Sequence, residues 1–460
     1  MPKKTLNHTD ANTVFPLDVL SICWRLLSGR TEVELRILVS HSWLLLIAIL
    51  SVFFVPLAIA QVHQPVELNG NQAGFGISAG DPFDVETGIY YRTYLDLFIG
   101  DSIPIRFERT QRNQDTRSRS FGIGASTSYD MFIIGDVNNF SWVALVMADG
   151  GQIRYARISP GTSYSDGVFE EQATPGQFLG SRITWNWWPG NWTVALRDGT
   201  QFVVQGCSGN SKPGQCAVTE VKNKSGERLT IKRDGDGNIL QITSPHEHFV
   251  SVTNDSAGRI TGVDGDDGKH WVRYEYNPAG ALVKSRNWRG DTQDFRYDAQ
   301  FNMARVNESG TGWQGPYHFT IINAFDEQNR FAAQTMDSGG FTSAEYITNE
   351  SGKVIQVNVG SAEGLSRYFF SESGYEARQE FTPIKGWGWT YDLTRDQASN
   401  APTTLTVHCH TQTITLPMQT GVSLGDNGAD RLDSISAACK KAESKTSPNA
   451  KSSKPRMRSQ

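Results

Sequence analysis

Residues 271–282 read Trp-Val-Arg-Tyr-Glu-Tyr-Asn-Pro-Ala-Gly-Ala-Leu, and this stretch decides the fold. The run from His270 to Tyr276 alternates as a strand does, and Ala281 to Arg286 alternates again after it. Between them, Asn277 and Gly280 stand three apart, the preferred chemistry of a type I β-turn whose Asx side chain caps the turn. The same spacing recurs along the chain, with anchors at Asp234, Asp255, Asn277, Asp298, Asp326, Asn349 and Ser371. Successive anchors are 21, 22, 21, 28, 23 and 22 residues apart. Three residues after them come Gly237, Gly258, Gly280, Phe301, Asn329, Gly352 and Gly374. Two further on lie Ile239, Ile260, Leu282, Met303, Phe331, Val354 and Glu376. A period in this range marks an array in which each unit buries its apolar face only against its neighbours. The expected fold is all-β: a β-rich head, then seven stacked hairpins forming an extended curved antiparallel sheet.

Outward from the repeats, the segmentation is 1–60 as an export signal or membrane anchor, 61–229 as a head domain and 230–379 as the hairpin array. A small C-terminal segment, 380–439, and a basic tail, 440–460, follow. The tail holds Lys and Arg among Ser, Pro and Asn and reads as a solvated, disordered extension. The 44 glycines and 11% aromatics favour turn-rich β structure over helix. A net charge of -5 over 460 residues argues against nucleic acid as a partner.

Trp43 to Ala60 is an uncharged, mostly apolar run of eighteen residues ending in a small-x-small pattern at Ala58 and Ala60. It fits signal cleavage before Gln61, or retention as an anchor that just spans a bilayer. Both place residues 61–460 outside the cytoplasm, in the periplasm or secreted. Four cysteines then remain, Cys207, Cys216, Cys409 and Cys439. An even number in an exported chain favours disulfides; three connectivities are open, and the local pairs Cys207–Cys216 and Cys409–Cys439 are the simplest. A metal reading of His408-Cys409-His410 fails because strand neighbours face opposite ways.

The head contains Gly80-Asp-Pro-Phe-Asp-Val-Glu-Thr-Gly88, Phe107-Glu-Arg109, Gly122-Ile-Gly-Ala-Ser-Thr-Ser-Tyr129 and Leu196-Arg-Asp-Gly-Thr200. Read physically, these are strands punctuated by Gly, Asp and Pro turns. Together with the repeats they resemble a rearrangement-hotspot (Rhs) or YD-repeat protein over about residues 70–376. Departures are Gln111 where the family has Tyr, and Ala125 where it has Trp. Tyr297-Asp298 is the one literal Tyr-Asp, with Tyr276-Asn277 and Phe325-Asp326 as variants. The resemblance implies a spiral β shell, which in several members encloses a toxin made from their own C-terminus. Fourteen strands at about 4.8 Å make a ribbon of about 67 Å. A 100-residue cargo with a radius of gyration of about 13 Å needs a girth of about 105 Å. The expectation is therefore a head-plus-repeats module rather than a complete shell.

Among candidate sites, Trp185, Trp187 and Trp192, with Trp188, cluster around Pro189-Gly-Asn191 and could stack on a glycan or a protein partner. Gly386-Trp-Gly-Trp389 is a smaller echo. Asp234-Gly-Asp-Gly-Asn238 and Asp264-Gly-Asp-Asp267 suggest calcium but also suit plain turns, and the first lacks the distal Glu of an EF-hand. His246-Glu-His248 has no third ligand in view, and no nucleophile elbow, zinc-protease motif or P-loop occurs. The reading is thus an exported scaffold with no cofactor, no metal and no enzymatic activity, bound to a protein partner in the cell envelope or on another cell. The alternatives are a carbohydrate-binding surface protein and the carrier of a small effector at 377–439.

Overall fold

The computed structural model describes residues 78–79, 83–147, 150–172, 177–207, 211, 213–312, 315–397, 402–409, 413–417 and 439. The segment 43–60, the tail 440–460, Gly80 to Pro82, His410 and most of the proposed effector beyond 417 lie outside the described residues. Everything described belongs to one compact unit, 60–460. Its long elements are strands, and no helix among the described residues is long and apolar enough to cross a membrane, which says nothing of strands.

The repeat turns set the architecture. In each, the fourth residue's N–H donates to the anchor's carbonyl, as Gly237 does to Asp234 at 3.1 Å and Gly280 to Asn277 at 2.9 Å. The anchor's N–H in turn donates to the fifth residue's carbonyl, Asp234 to Asn238 and Asn277 to Ala281. This is a type I turn closed by a G1 bulge, which needs a left-handed residue at its fourth position. Gly237, Gly258, Gly280, Gly352 and Gly374 supply it, with φ between +80° and +95°, while Phe301 and Asn329 adopt +63° and +60° without a glycine. The bulge shifts register by one and turns the sixth residue inward. Ile239, Ile260, Leu282, Met303 and Phe331 are accordingly buried, each worth about 1.5–3 kcal/mol.

Twenty-five strands, from Phe132–Gly135 to Thr413–Pro417, form one sheet in which each pairs with its successor. The ladder does not begin at residue 230: Val221 faces Leu229 and Glu220 faces Thr230 in an unbroken register. Among the described residues the fourteen strands expected of the array are present, from Arg228–Arg233 to Glu376–Pro383, and eight before and three after them bring the sheet to twenty-five, about 120 Å at about 4.8 Å each. The closure arithmetic made on fourteen strands does not apply to this chain. The first strand also comes back onto the eighth, Val218–Lys222. Phe132 bridges Ala217, and the Val218 N–H donates to the Met131 carbonyl at 2.9 Å. The 28-residue interval is taken up by a longer hairpin, Met303–Gly312 with Gly315–Phe325.

Inside the curve of the sheet lies a separate three-stranded sheet, Tyr91–Ile99, Ile105–Arg112 and Ala125–Thr127. Strand alternation gives it two faces. Arg92, Tyr94, Arg109 and Gln111 meet the repeat strands, while Thr93 pairs with Thr110 on the opposite face. Backbone bonds tie its connecting loops to the repeats. Phe331 N–H donates to Gly88 at 2.7 Å, Ile260 N–H to Ser120 at 2.8 Å and Ile123 N–H to Gly280 at 3.2 Å.

Candidate functional site

The repeat interior is a chain of donors. Asn254 Nδ2 donates to the Ile239 carbonyl at 2.9 Å and Tyr276 Oη to Ile260 at 2.6 Å. Tyr297 Oη donates to Leu282 at 2.7 Å, Asn323 Nδ2 to Met303 at 2.8 Å and Tyr346 Oη to Phe331 at 2.8 Å. Every acceptor is the inward residue of the preceding turn, whose carbonyl sits beside the bulge. An aromatic or amide directly before the anchors Asp255, Asn277 and Asp298, and three residues before Asp326 and Asn349, thus locks one unit to the last.

The head docks on this face through a buried ion pair. Arg109 Nε donates to Asp96 at 2.9 Å, and its NH2 donates to Gln293 at 2.6 Å. Tyr274 Oη donates to Asp96 at 2.8 Å, and the guanidinium lies 4.6 Å from the centre of the Tyr94 ring. Burial is the largest single influence on the Arg109 pKa and lowers it, but the charge and hydrogen bond of Asp96, with Tyr274 and Tyr94, together outweigh it and the net shift is upward. Alongside, Arg92 pairs with Glu308 at 2.9 Å, and Gln111 Nε2 donates to the Tyr297 hydroxyl at 2.7 Å. Gln111 thus ties the head sheet to the repeat residue Tyr297.

At one end of the repeats, Asp101 from the head takes hydrogen bonds from Ser244 Oγ at 2.5 Å, the His246 N–H at 3.0 Å and His246 Nδ1 at 2.5 Å. The Ser244 bond above all holds the Asp101 carboxyl well below the usual range, and the bond to Asp101 raises His246. Ser244 donates to the carboxylate and not to an imidazole, so the group lacks the nucleophile–base contact of an acyl-transfer site. His248 pairs separately with Asp266 at 2.8 Å.

The tryptophans divide. Trp192 is fully buried, so it is withdrawn from the surface on which the sequence placed it. Trp185 packs 5.1 Å from Trp192 and 5.2 Å from Tyr164, forming a base. Beyond that base, Trp187 is 71% and Trp188 90% exposed at the tip of the hairpin Arg182–Asn186 with Asn191–Ala195. Trp389 is buried and Trp387 exposed, 67%, on another hairpin.

The turn anchors act within their own turns. Asp234 accepts from Asp236 and Asn238 N–H, Asp255 from Ala257 and Arg259, and Asn277 from Ala281. Asp298, Asp326 and Asn349 accept at the same two positions. In the acidic stretches, Asp264 pairs with Arg273, and Asp267 accepts from the Lys269 and His270 N–H groups. Two further turns of this build were missed, at Asn223 and Asn287, each with a glycine three residues on. Asn223-Lys-Ser-Gly226 and Asn287-Trp-Arg-Gly290 carry the signal, but outside the 22-residue beat. Cys207–Cys216 and Cys409–Cys439 lie at disulfide distance, with Cα atoms 5.4 and 5.5 Å apart. The first adjoins the Phe132–Ala217 bridge.

A family model described as a domain of unknown function, DUF6531, matches residues 80–155, which span the head sheet and the first strands of the ladder. No curated protein matches the chain. Among solved structures, a crystal structure of TcdB2-TccC3-TEV is similar at 10% identity and TM-score 0.31, over 71% of this chain and 22% of that one. The Photorhabdus luminescens Tc holotoxin pore is similar at 10% identity and TM-score 0.28, over 73% and 22%. A porin-like protein from Bacteroides uniformis is similar at 10% identity and TM-score 0.21, over 55% and 91%. The chain thus spans less than a quarter of the length of the two toxin structures. At these scores the fold rests on the strand ladder itself.

Proposed function

We propose that the chain is an exported scaffold of the Rhs or YD-repeat kind, without catalysis of its own, that presents a surface to a protein partner in the cell envelope or on another cell. The observation that carries this reading is the Trp187–Trp188 tip. Two adjacent, largely exposed indoles stand on a hairpin whose base is formed by Trp185, Trp192 and Tyr164, with Tyr164 also 6.3 Å from the Trp187 ring. Rigid, exposed aromatics mark binding surfaces, and Trp is enriched among the side chains that dominate protein interfaces. Asp234, Asp255 and Asp298 are bound in turn caps and Asp96 in an ion pair. Export is supported by the apolar run 43–60 and by two cystine pairs, with membrane contact only if that run is uncleaved.

A carbohydrate is the second reading. Asn186 Nδ2 donates to Asn191 Oδ1 at 2.8 Å and Thr193 Oγ1 at 2.7 Å, which sets polar groups at the foot of the same aromatic tip. The test is capture from an envelope extract on the immobilised full chain and on the Trp187→Ala/Trp188→Ala variant, read for protein and polysaccharide. One protein held by the wild type and lost from the variant supports the scaffold. Polysaccharide lost in the same way favours the glycan, and equal retention by both chains removes the tip from either role.

A further inference from the structure

We infer that the cleft between the head sheet and strands Gln201–Gln205, Val218–Lys222 and Arg228–Arg233 binds an uncharged amphipathic small molecule. Its two walls do not match. On the outer-sheet side, Phe202, Val221 and Leu229 are cross-strand partners in one continuous apolar row, and the Phe178 ring stacks 6.4 Å from Phe202. The head-sheet side is mixed: Thr93 and Thr110 share a hydrogen bond of 2.8 Å facing the row, with Ile103 and Pro104 also lining the cleft. The cleft holds about 520 Å³, inside the roughly 300–1,000 Å³ of small-molecule sites.

The charge at the rim selects the occupant. Arg106 and Glu108 pair with each other at 2.8 Å, so the cleft presents no net charge. A carboxylate entering beside Arg106 meets Glu108, and an ammonium beside Glu108 meets Arg106. What fits both walls is a hydrocarbon body on the row with one hydroxyl or amide edge on the threonines. This site is independent of the Trp187–Trp188 tip.

The test uses N-phenyl-1-naphthylamine, an uncharged probe that fluoresces in apolar surroundings, on the full chain, with 1-decanol and decanoate as competitors. Val221→Trp fills the cleft from the row, and Thr93→Trp fills it from an exposed position opposite. The expected result is saturable one-to-one binding, weakened at least about tenfold in both variants. Displacement should be by 1-decanol well before decanoate. If Val221→Trp does not fold, Thr93→Trp decides. Absence of saturation, or wild-type affinity in a folded Thr93→Trp chain, overturns the site. Equal displacement by decanoate overturns the assignment of an uncharged ligand.

Discussion

Asp101 is one carboxylate gripping two groups of a repeat turn, and its titration should be visible in stability. Its folded pKa is depressed, so its contribution is present above about pH 4 and is lost as pH falls through the folded value. His246 is raised, so its contribution is full below about pH 6.5 and is lost as pH rises through the raised value. His246→Gln should therefore cost most between about pH 4 and 6.5, and the gap in melting temperature should shrink towards about pH 9. Parallel melting curves across that range would contradict the Asp101–His246 contact. Tyr297→Phe removes a donation to Leu282 and the partner of Gln111, a loss of about 1–3 kcal/mol by denaturant unfolding. Arg109→Met leaves Asp96 buried beside a lost partner and should cost about 3–5 kcal/mol. The turn residues were legible in the sequence because Asp or Asn and Gly act within five residues of each other. Arg109 and Asp96 were not, since Tyr274 and Gln293 lie some 180 positions away and no local pattern links them. Trp192 was misplaced for a related reason: alternation puts it on a face but does not say which face is covered.

The G1-bulged hairpin is the unit that period and composition reveal, because its chemistry is contained in one turn. What covers its inward face is a tertiary matter, and the head sheet was legible only as strands without a docking partner. Gly122 tests that docking. It sits at φ +83°, and an added Cβ would stand 2.2 Å from the Gly280 carbonyl. Gly122→Ala should therefore loosen the loop from the repeats and expose Phe121, now buried against Tyr274, to quenching or proteolysis. Wild-type protease resistance would show that the loop does not bear on the repeat. The Cys207–Cys216 bridge closes a nine-residue interval where the first strand meets the eighth. Cys207→Ser with Cys216→Ser should cost about 2–3 kcal/mol, and an unchanged denaturation midpoint would mean that the ring closes without it.

At the scale of the molecule, sequence periodicity found the fourteen strands of the array but not the ladder on either side of it, because the strands within 132–222 and 389–417 carry no 22-residue beat, yet they continue the same sheet. A stack of hairpins alone would unfold by neighbours, one unit after another. Here the Arg109 node, the Asp101 grip and three backbone bonds fasten an internal sheet across units far apart in sequence. The head segment is the buried support around which the repeat strands hold together as one body. Hydrogen exchange on the full chain, wild type against Arg109→Met, tests it most directly. Exchange is expected to quicken in both 91–112 and 271–297, rising together. Faster exchange confined to 91–112, with the repeat strands protected as before, would contradict it.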